Sequence, residues 1–181
     1  RVHLHHLALD VARREDGQMV DFSKDAKSAF VLSSLGRETT ALVRLDISTG
    51  EVIEEIASSD QCNVGGLQID EDTKEVQVVA FNYARLERQF FDKELEADFA
   101  KLQAAAPEGC EVSVASQTRD KKTWIVSFRR DDGPTEFLLF DKPSGALTPL
   151  FVTSPALLDY KLAKMEDVRI TARDGLEHAP E

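Results

Sequence analysis

Catalysis is ordinarily built from histidine, cysteine, serine and carboxylate side chains, and in this 181-residue sequence their spacing works against it. His3, His5 and His6 crowd the first six residues, and His178 lies near the other end. A nucleophilic serine needs a histidine held rigidly beside it, which chain ends supply poorly. The imidazoles of His3-x-His5-His6 are of the kind transition metals favour. No cysteine or carboxylate stands at ligand spacing beside them, so no metal site is assigned. Cys62 and Cys110 lie 48 positions apart, in no CxxC or zinc spacing. They allow one disulfide, but two separate thiols in a reducing cytosol is the expectation.

The motifs that carry chemistry at fixed spacing are absent from the sequence. It contains no G-x-S-x-G, H-E-x-x-H, G-x-x-x-x-G-K-[ST] or G-x-G-x-x-G. Gly65-Gly66 lacks the strand-then-helix context of a phosphate loop. No catalytic, cofactor-binding or metal-ligating residue is therefore assigned, and no cofactor is expected.

Composition narrows the remaining classes. The formal charge is −11, from 33 acidic and 22 basic side chains, which disfavours a surface for nucleic-acid phosphates. No apolar run reaches the roughly 18 residues of a membrane-spanning helix, so neither nucleic acid nor membrane is expected as a partner. The sequence opens at Arg1 without a charged-then-apolar leader. It reads as cut from something longer, and the scarcity of cysteine suits a cytoplasmic setting.

The elements that could position a site are strands. Val20 to Phe22, Ala29 to Ser33, Ala41 to Ile47 and Val52 to Ile56 are short apolar or alternating runs. They are separated by Ser23-Lys24-Asp25, Gly36-Arg37-Glu38 and Ser48-Thr49-Gly50, which suit tight turns and predict an antiparallel meander. A shift of 95 positions places Asp25 on Asp120, Lys27 on Lys122, Val31 on Val126, Thr40 on Thr135, Asp46 on Asp141 and Gly50 on Gly145. At about half that shift, Asp72, Lys74 and Val78 answer Asp25, Lys27 and Val31. Three copies at this period match the length of a four-stranded propeller blade. The fold class expected is all-β: about three four-stranded antiparallel β-propeller-like blades.

One amphipathic helix interrupts the middle copy. Asp92 to Ala106 sets Leu95, Phe99 and Leu102 at helical spacing, with Asp92 as N-cap and Pro107-Glu108-Gly109 as the stop. Its acidic residues are read as a solvated outer face, with contact to a substrate amine as the other reading. Trp124 is read as blade core and Arg129-Arg130-Asp131-Asp132-Gly133 as a solvated hairpin tip. Phe90-Phe91 is assigned to packing between blade and helix rather than to a cleft. Lys164 to Ala172 reads as a further strand ending at the turn Arg173-Asp174-Gly175.

Two stretches carry a family resemblance. In the first, Gly36-Arg37-Glu38-Thr39 precedes a strand and the hairpin Asp46 to Gly50. The second runs Asp120-Lys121-Lys122-Thr123-Trp124-Ile125-Val126-Ser127, then Phe140-Asp141, then Leu157 to Leu176. Together they resemble the prolyl oligopeptidase family of serine peptidases, in particular its acylaminoacyl-peptidase-like branch. Tyr160 to Leu176 is similar to the family's junction between propeller and hydrolase domain.

The resemblance implies residues 1–16 as an N-terminal segment and 17–158 as a partial propeller, with blades at about 17–60, 61–110 and 111–153. It implies 159–181 as a linker and the truncated start of an α/β-hydrolase domain. In such peptidases the propeller covers the active site and filters peptide substrates by size. The triad lies beyond the junction, so no triad residue is carried over, and His178 does not correspond to the triad histidine. The isolated chain is expected to be inactive. Its expected partner is the hydrolase domain of the same longer chain, or a second copy paired through blade edges that an unclosed ring leaves open. The alternative is a free-standing interaction module that uses those edges for a protein partner.

Overall fold

The structure, a computed structural model, describes residues 17–166 together with Val168, Ile170, Thr171, Arg173, Glu177 and His178. Two compact units make up the chain, one ending at Asp92 and the other beginning at Lys93.

The first unit holds two antiparallel sheets. Strands β1 (Gly17–Phe22), β2 (Ser28–Ser33), β3 (Ala41–Asp46) and β4 (Val52–Ala57) pair in sequence order. Strands β5 (Val64–Ile69), β6 (Val76–Asn82) and β7 (Leu86–Phe90) form the second sheet. The central strands β2 and β3 are apolar on both faces, which is why they read as runs rather than as alternation. One face buries Ala29, Val31, Ala41, Val43 and Leu45, with Met19 packed against them. The other buries Phe30 and Leu42 with Ala57 of β4, Val64 of β5 and Val79 of β6, so the two sheets share a core. The Val64 N–H donates to the Thr40 carbonyl at 3.3 Å, tying β5 to the loop before β3.

The second unit begins with helix α1 (Lys93–Ala105), followed by a sheet of β8 (Glu111–Gln117), β9 (Thr123–Arg129), β10 (Glu136–Asp141) and β11 (Ala146–Val152). A single 3-10 turn (Pro155–Asp159) and the two-residue pair β12 (Ile170–Thr171) and β13 (Glu177–His178) complete it.

The offset of 95 holds down to individual hydrogen bonds. In the β1–β2 turn, Ser23 Oγ donates to Asp25 Oδ1 at 2.7 Å and the Lys27 N–H donates to the same oxygen at 3.1 Å. In the β8–β9 turn, Thr118 Oγ1 donates to Asp120 Oδ1 at 2.6 Å and the Lys122 N–H at 3.2 Å. Ala26 and Lys121, equivalent positions, both adopt positive φ, at 55° and 59°. The ladders are irregular at matching points as well, between Met19 and Asp21 and between Val114 and Ser116.

At the outer hairpins Asp46 accepts from the Ser48 and Thr49 N–H groups, and Asp141 accepts from the Ser144 N–H. Gly50 and Gly145 then close the turns at φ 73° and 71°. Nothing lies within 4 Å of a Cβ built on Gly145. Gly145→Ala therefore costs backbone strain alone, about 1 kcal/mol, measurable as a lowered urea midpoint at unchanged slope.

Three expectations are corrected. The middle sheet has three strands rather than four, and α1 is the next element in the sequence. The run Asp92 to Ala106 holds no β-branched residue and many strong helix formers, so it cannot supply a strand. The first turn of that sheet is also built differently from its counterparts. Asp70, not Asp72, caps it, accepting from the Asp72 and Thr73 N–H groups at 3.0 and 2.9 Å. Further along, of the strand expected over Lys164 to Ala172, only Ile170–Thr171 is strand among the described residues. Upstream of it the Met165 N–H is spent on the Asp131 carboxylate at 2.9 Å instead of on a ladder.

Candidate functional site

The residues singled out for chemistry are scattered through the fold. His3, His5 and His6 lie outside the described residues. His178, the one histidine among the described residues, stands opposite Ile170 in the β12–β13 pair. Among the described residues no group of three or more His, Cys, Asp or Glu could hold a metal ion, and no helix is long and apolar enough to cross a membrane. Gly65 and Gly66 lie inside β5, paired to β6, and not at a helix start. Cys62 and Cys110 are both free thiols. Cys110 is buried, and burial pushes its thiol pKa up, which keeps it protonated and unreactive. Phe90 ends β7, while Phe91 is exposed.

Among the described residues of the second unit, a buried charge centre is formed where α1 meets the sheet. Leu95 and Leu102 bury one stripe of the helix, and Asp98, which falls on the same stripe, is buried with them. Its side chain is 4% exposed, which corrects the expectation of a wholly solvated acidic face. Glu94 and Glu96 keep that expectation, since both are exposed. Lys142, just beyond β10, brings Nζ to 2.8 Å from Asp98 Oδ2 and 3.0 Å from Glu94 Oε1. The same ammonium sits 4.9 Å from the centre of the Trp124 ring. Lys101 donates to the other Asp98 oxygen at 3.0 Å. Burial raises the Asp98 carboxyl, but the two lysines outweigh it and hold the group below the ordinary carboxylate range.

Trp124 is core, as expected, at 2% exposure. Its ring lies between Phe99 and Phe140, with centroids at 6.3 and 5.8 Å, and its Nε1–H donates to the Lys121 carbonyl at 3.0 Å. This centre fixes the helix to the sheet. Each charge in it has a partner of opposite sign.

A different surface is unsatisfied. Leu150 and Phe151 on β11 are exposed, and so are Leu157, Leu158, Tyr160, Leu162, Met165 and Val168 in the segment that follows. Sequence patterning missed this strip because the run from Ser154 to Lys161 follows no helix or strand period. Its signal is instead the density of large apolar residues in a stretch without regular structure.

Carboxylates capping turns set the response to acid. Hydrogen bonds from turn N–H and hydroxyl groups hold Asp25, Asp46 and Asp120 below the ordinary value of 3.8, and the Lys74 ammonium does the same for Asp21. The folded state thus binds these protons less readily than the unfolded chain. The stabilisation is complete above the unfolded value and is lost as pH falls through 3.8 toward the lower folded values. The urea midpoint should be flat above about pH 5 and should drop below it, more shallowly in Asp25→Asn and Asp120→Asn.

No protein-family model matches the chain. Among curated proteins it is similar to dipeptidyl aminopeptidase BIII of Pseudoxanthomonas mexicana, at 36% identity over 153 residues. The match covers 83% of this chain and 22% of that protein, so the chain spans less than a quarter of its relative's length. The similarity relates the chain to a peptidase.

Proposed function

We propose that this chain is the propeller portion of a serine peptidase of the prolyl oligopeptidase type, covering the hydrolase active site and admitting short peptides. The observation that carries the reading is the 36% identity to a dipeptidyl aminopeptidase over 83% of this chain, beside a fold of blade-like antiparallel sheets. Two features support it. The last sheet is followed by an exposed apolar segment, a surface of the kind a neighbouring domain covers. That segment leads into the small β12–β13 hairpin, at the position where the resemblance sets the first hydrolase hairpin. The partner is then the hydrolase domain of the same longer polypeptide. Two free thiols support a reducing, cytoplasmic setting.

On this reading the nucleophile, base and oxyanion donors belong to the partner domain, and these residues contribute access alone. The test compares one scissile sequence presented in a short peptide and in a folded protein loop. The polypeptide carrying this segment should cleave the first and spare the second; equal rates on both would overturn the filter. Substrates with a free and an acetylated amino terminus then separate a dipeptidyl aminopeptidase from the acylaminoacyl-peptidase-like branch, since the two accept opposite ends.

A further inference from the structure

We propose that the β9–β10 hairpin tip is a clasp that fixes the path of the chain leaving the last sheet, with Asp131 as its catch. The tip is built rather than merely solvated. Arg130 folds back so that its Nε–H donates to Asp132 Oδ1 at 2.8 Å. Gly133 makes room for that fold, since a Cβ at this position would stand 3.3 Å from Arg130 Nε. Asp132 is bonded to its neighbour and is also drawn to the Lys164 ammonium of the departing chain, while Asp131 bonds that chain's backbone directly. Its Oδ2 accepts the Met165 N–H at 2.9 Å, across 34 positions of sequence.

The base of the hairpin is tied to the start of the same segment. The Thr153 N–H donates to the Thr135 carbonyl at 2.9 Å, and the Thr135 N–H donates to Thr153 Oγ1 at 3.1 Å. Ser154, at φ 48°, then turns the chain into the 3-10 turn, where the Tyr160 N–H closes on the Leu157 carbonyl at 3.2 Å. From Lys161 to Glu166 the chain has no helix or strand and every residue is exposed, so burial does not hold it. A hydrogen bond to an ionised carboxylate is stronger than a neutral one, and here it is the tie that sets the direction of exit. The clasp lies wholly within the second unit, so it does not depend on the peptidase reading.

Hydrogen exchange at the Met165 amide, read by mass spectrometry on peptides covering 160–166, tests the clasp directly. Asp131→Ala should speed exchange there by roughly tenfold while the amides of β9 and β10 keep their protection. Asp131→Asn, which retains a side-chain oxygen, should restore part of the protection. Gly133→Ala should loosen Met165 through Arg130, with Asp131 still in place. Unchanged exchange at Met165 in Asp131→Ala would overturn the proposal. So would an equal loss of protection along β9 and β10, which would mark a general weakening of the sheet.

Discussion

Leu42→Ala should destabilise the first unit by about 3 to 5 kcal/mol, among the largest effects of any single substitution in the chain. Leu42 is fully buried, and the side chains grouped with it come from both sheets: Phe30 and Ala57 from one, Val64 and Val79 from the other. Truncation removes the transfer energy of the buried side chain and leaves a cavity between two sheets. These can close on it only by shifting against each other, which the Val64–Thr40 hydrogen bond resists. The exposed apolar Val52 on β4 provides the comparison, since Val52→Ala should change stability by less than about 0.5 kcal/mol. Urea unfolding followed by far-ultraviolet circular dichroism reads both. A cost below about 1 kcal/mol at Leu42 would mean that the two sheets do not share a core.

The Asp98–Lys142 pair is the second point of large effect. Lys142→Met leaves the Asp98 carboxylate buried beneath the helix with only Lys101, whose side chain is 59% exposed, to balance it. Removing one partner of a buried pair is costly because the other charge stays behind, and a loss of about 3 kcal/mol is expected. Asp98→Leu should cost somewhat less, because Lys142 keeps Glu94 and the Trp124 ring. The double variant Asp98→Leu/Lys142→Met should regain much of the loss, since a charge-free interface of similar volume is tolerated. A double-mutant cycle gives the coupling, which should exceed about 1 kcal/mol. Additivity within about 0.5 kcal/mol would show that the pair is not a unit.

What the sequence made legible follows from where the information is local. The hairpins Asp46–Gly50 and Asp141–Gly145 could be read because Asp46 accepts from the N–H groups two and three residues on and Asp141 from the one three residues on, while Gly50 and Gly145 supply the positive φ. Apolar runs bounded by such turns located β2 and β3 for the same reason. The repeat at 95 was visible because both copies keep these turn residues.

The middle sheet was harder to read. There the capping aspartate moves two places, from Asp72 to Asp70. The end of the chain misled for a different reason: β-favouring residues around Ile170 suggested a longer strand, but no described residue forms a ladder with Lys164–Glu166. Asp98 was within reach of sequence reasoning, because it falls on the stripe of Leu95 and Leu102. Its partner Lys142 lies on another element, and no local pattern joins the two. The exposed strip of Leu157 to Val168 becomes visible only once the fold shows that no described residue covers it.

The most direct test of the central claim is to capture the native polypeptide with an antibody to residues 17–158, measure its mass, and label it with a serine-reactive fluorophosphonate. The native polypeptide should have a mass several times 20.1 kDa, with one labelled serine on a peptide outside these 181 residues. A native chain of 20.1 kDa, or a label on any serine within this sequence, would contradict it.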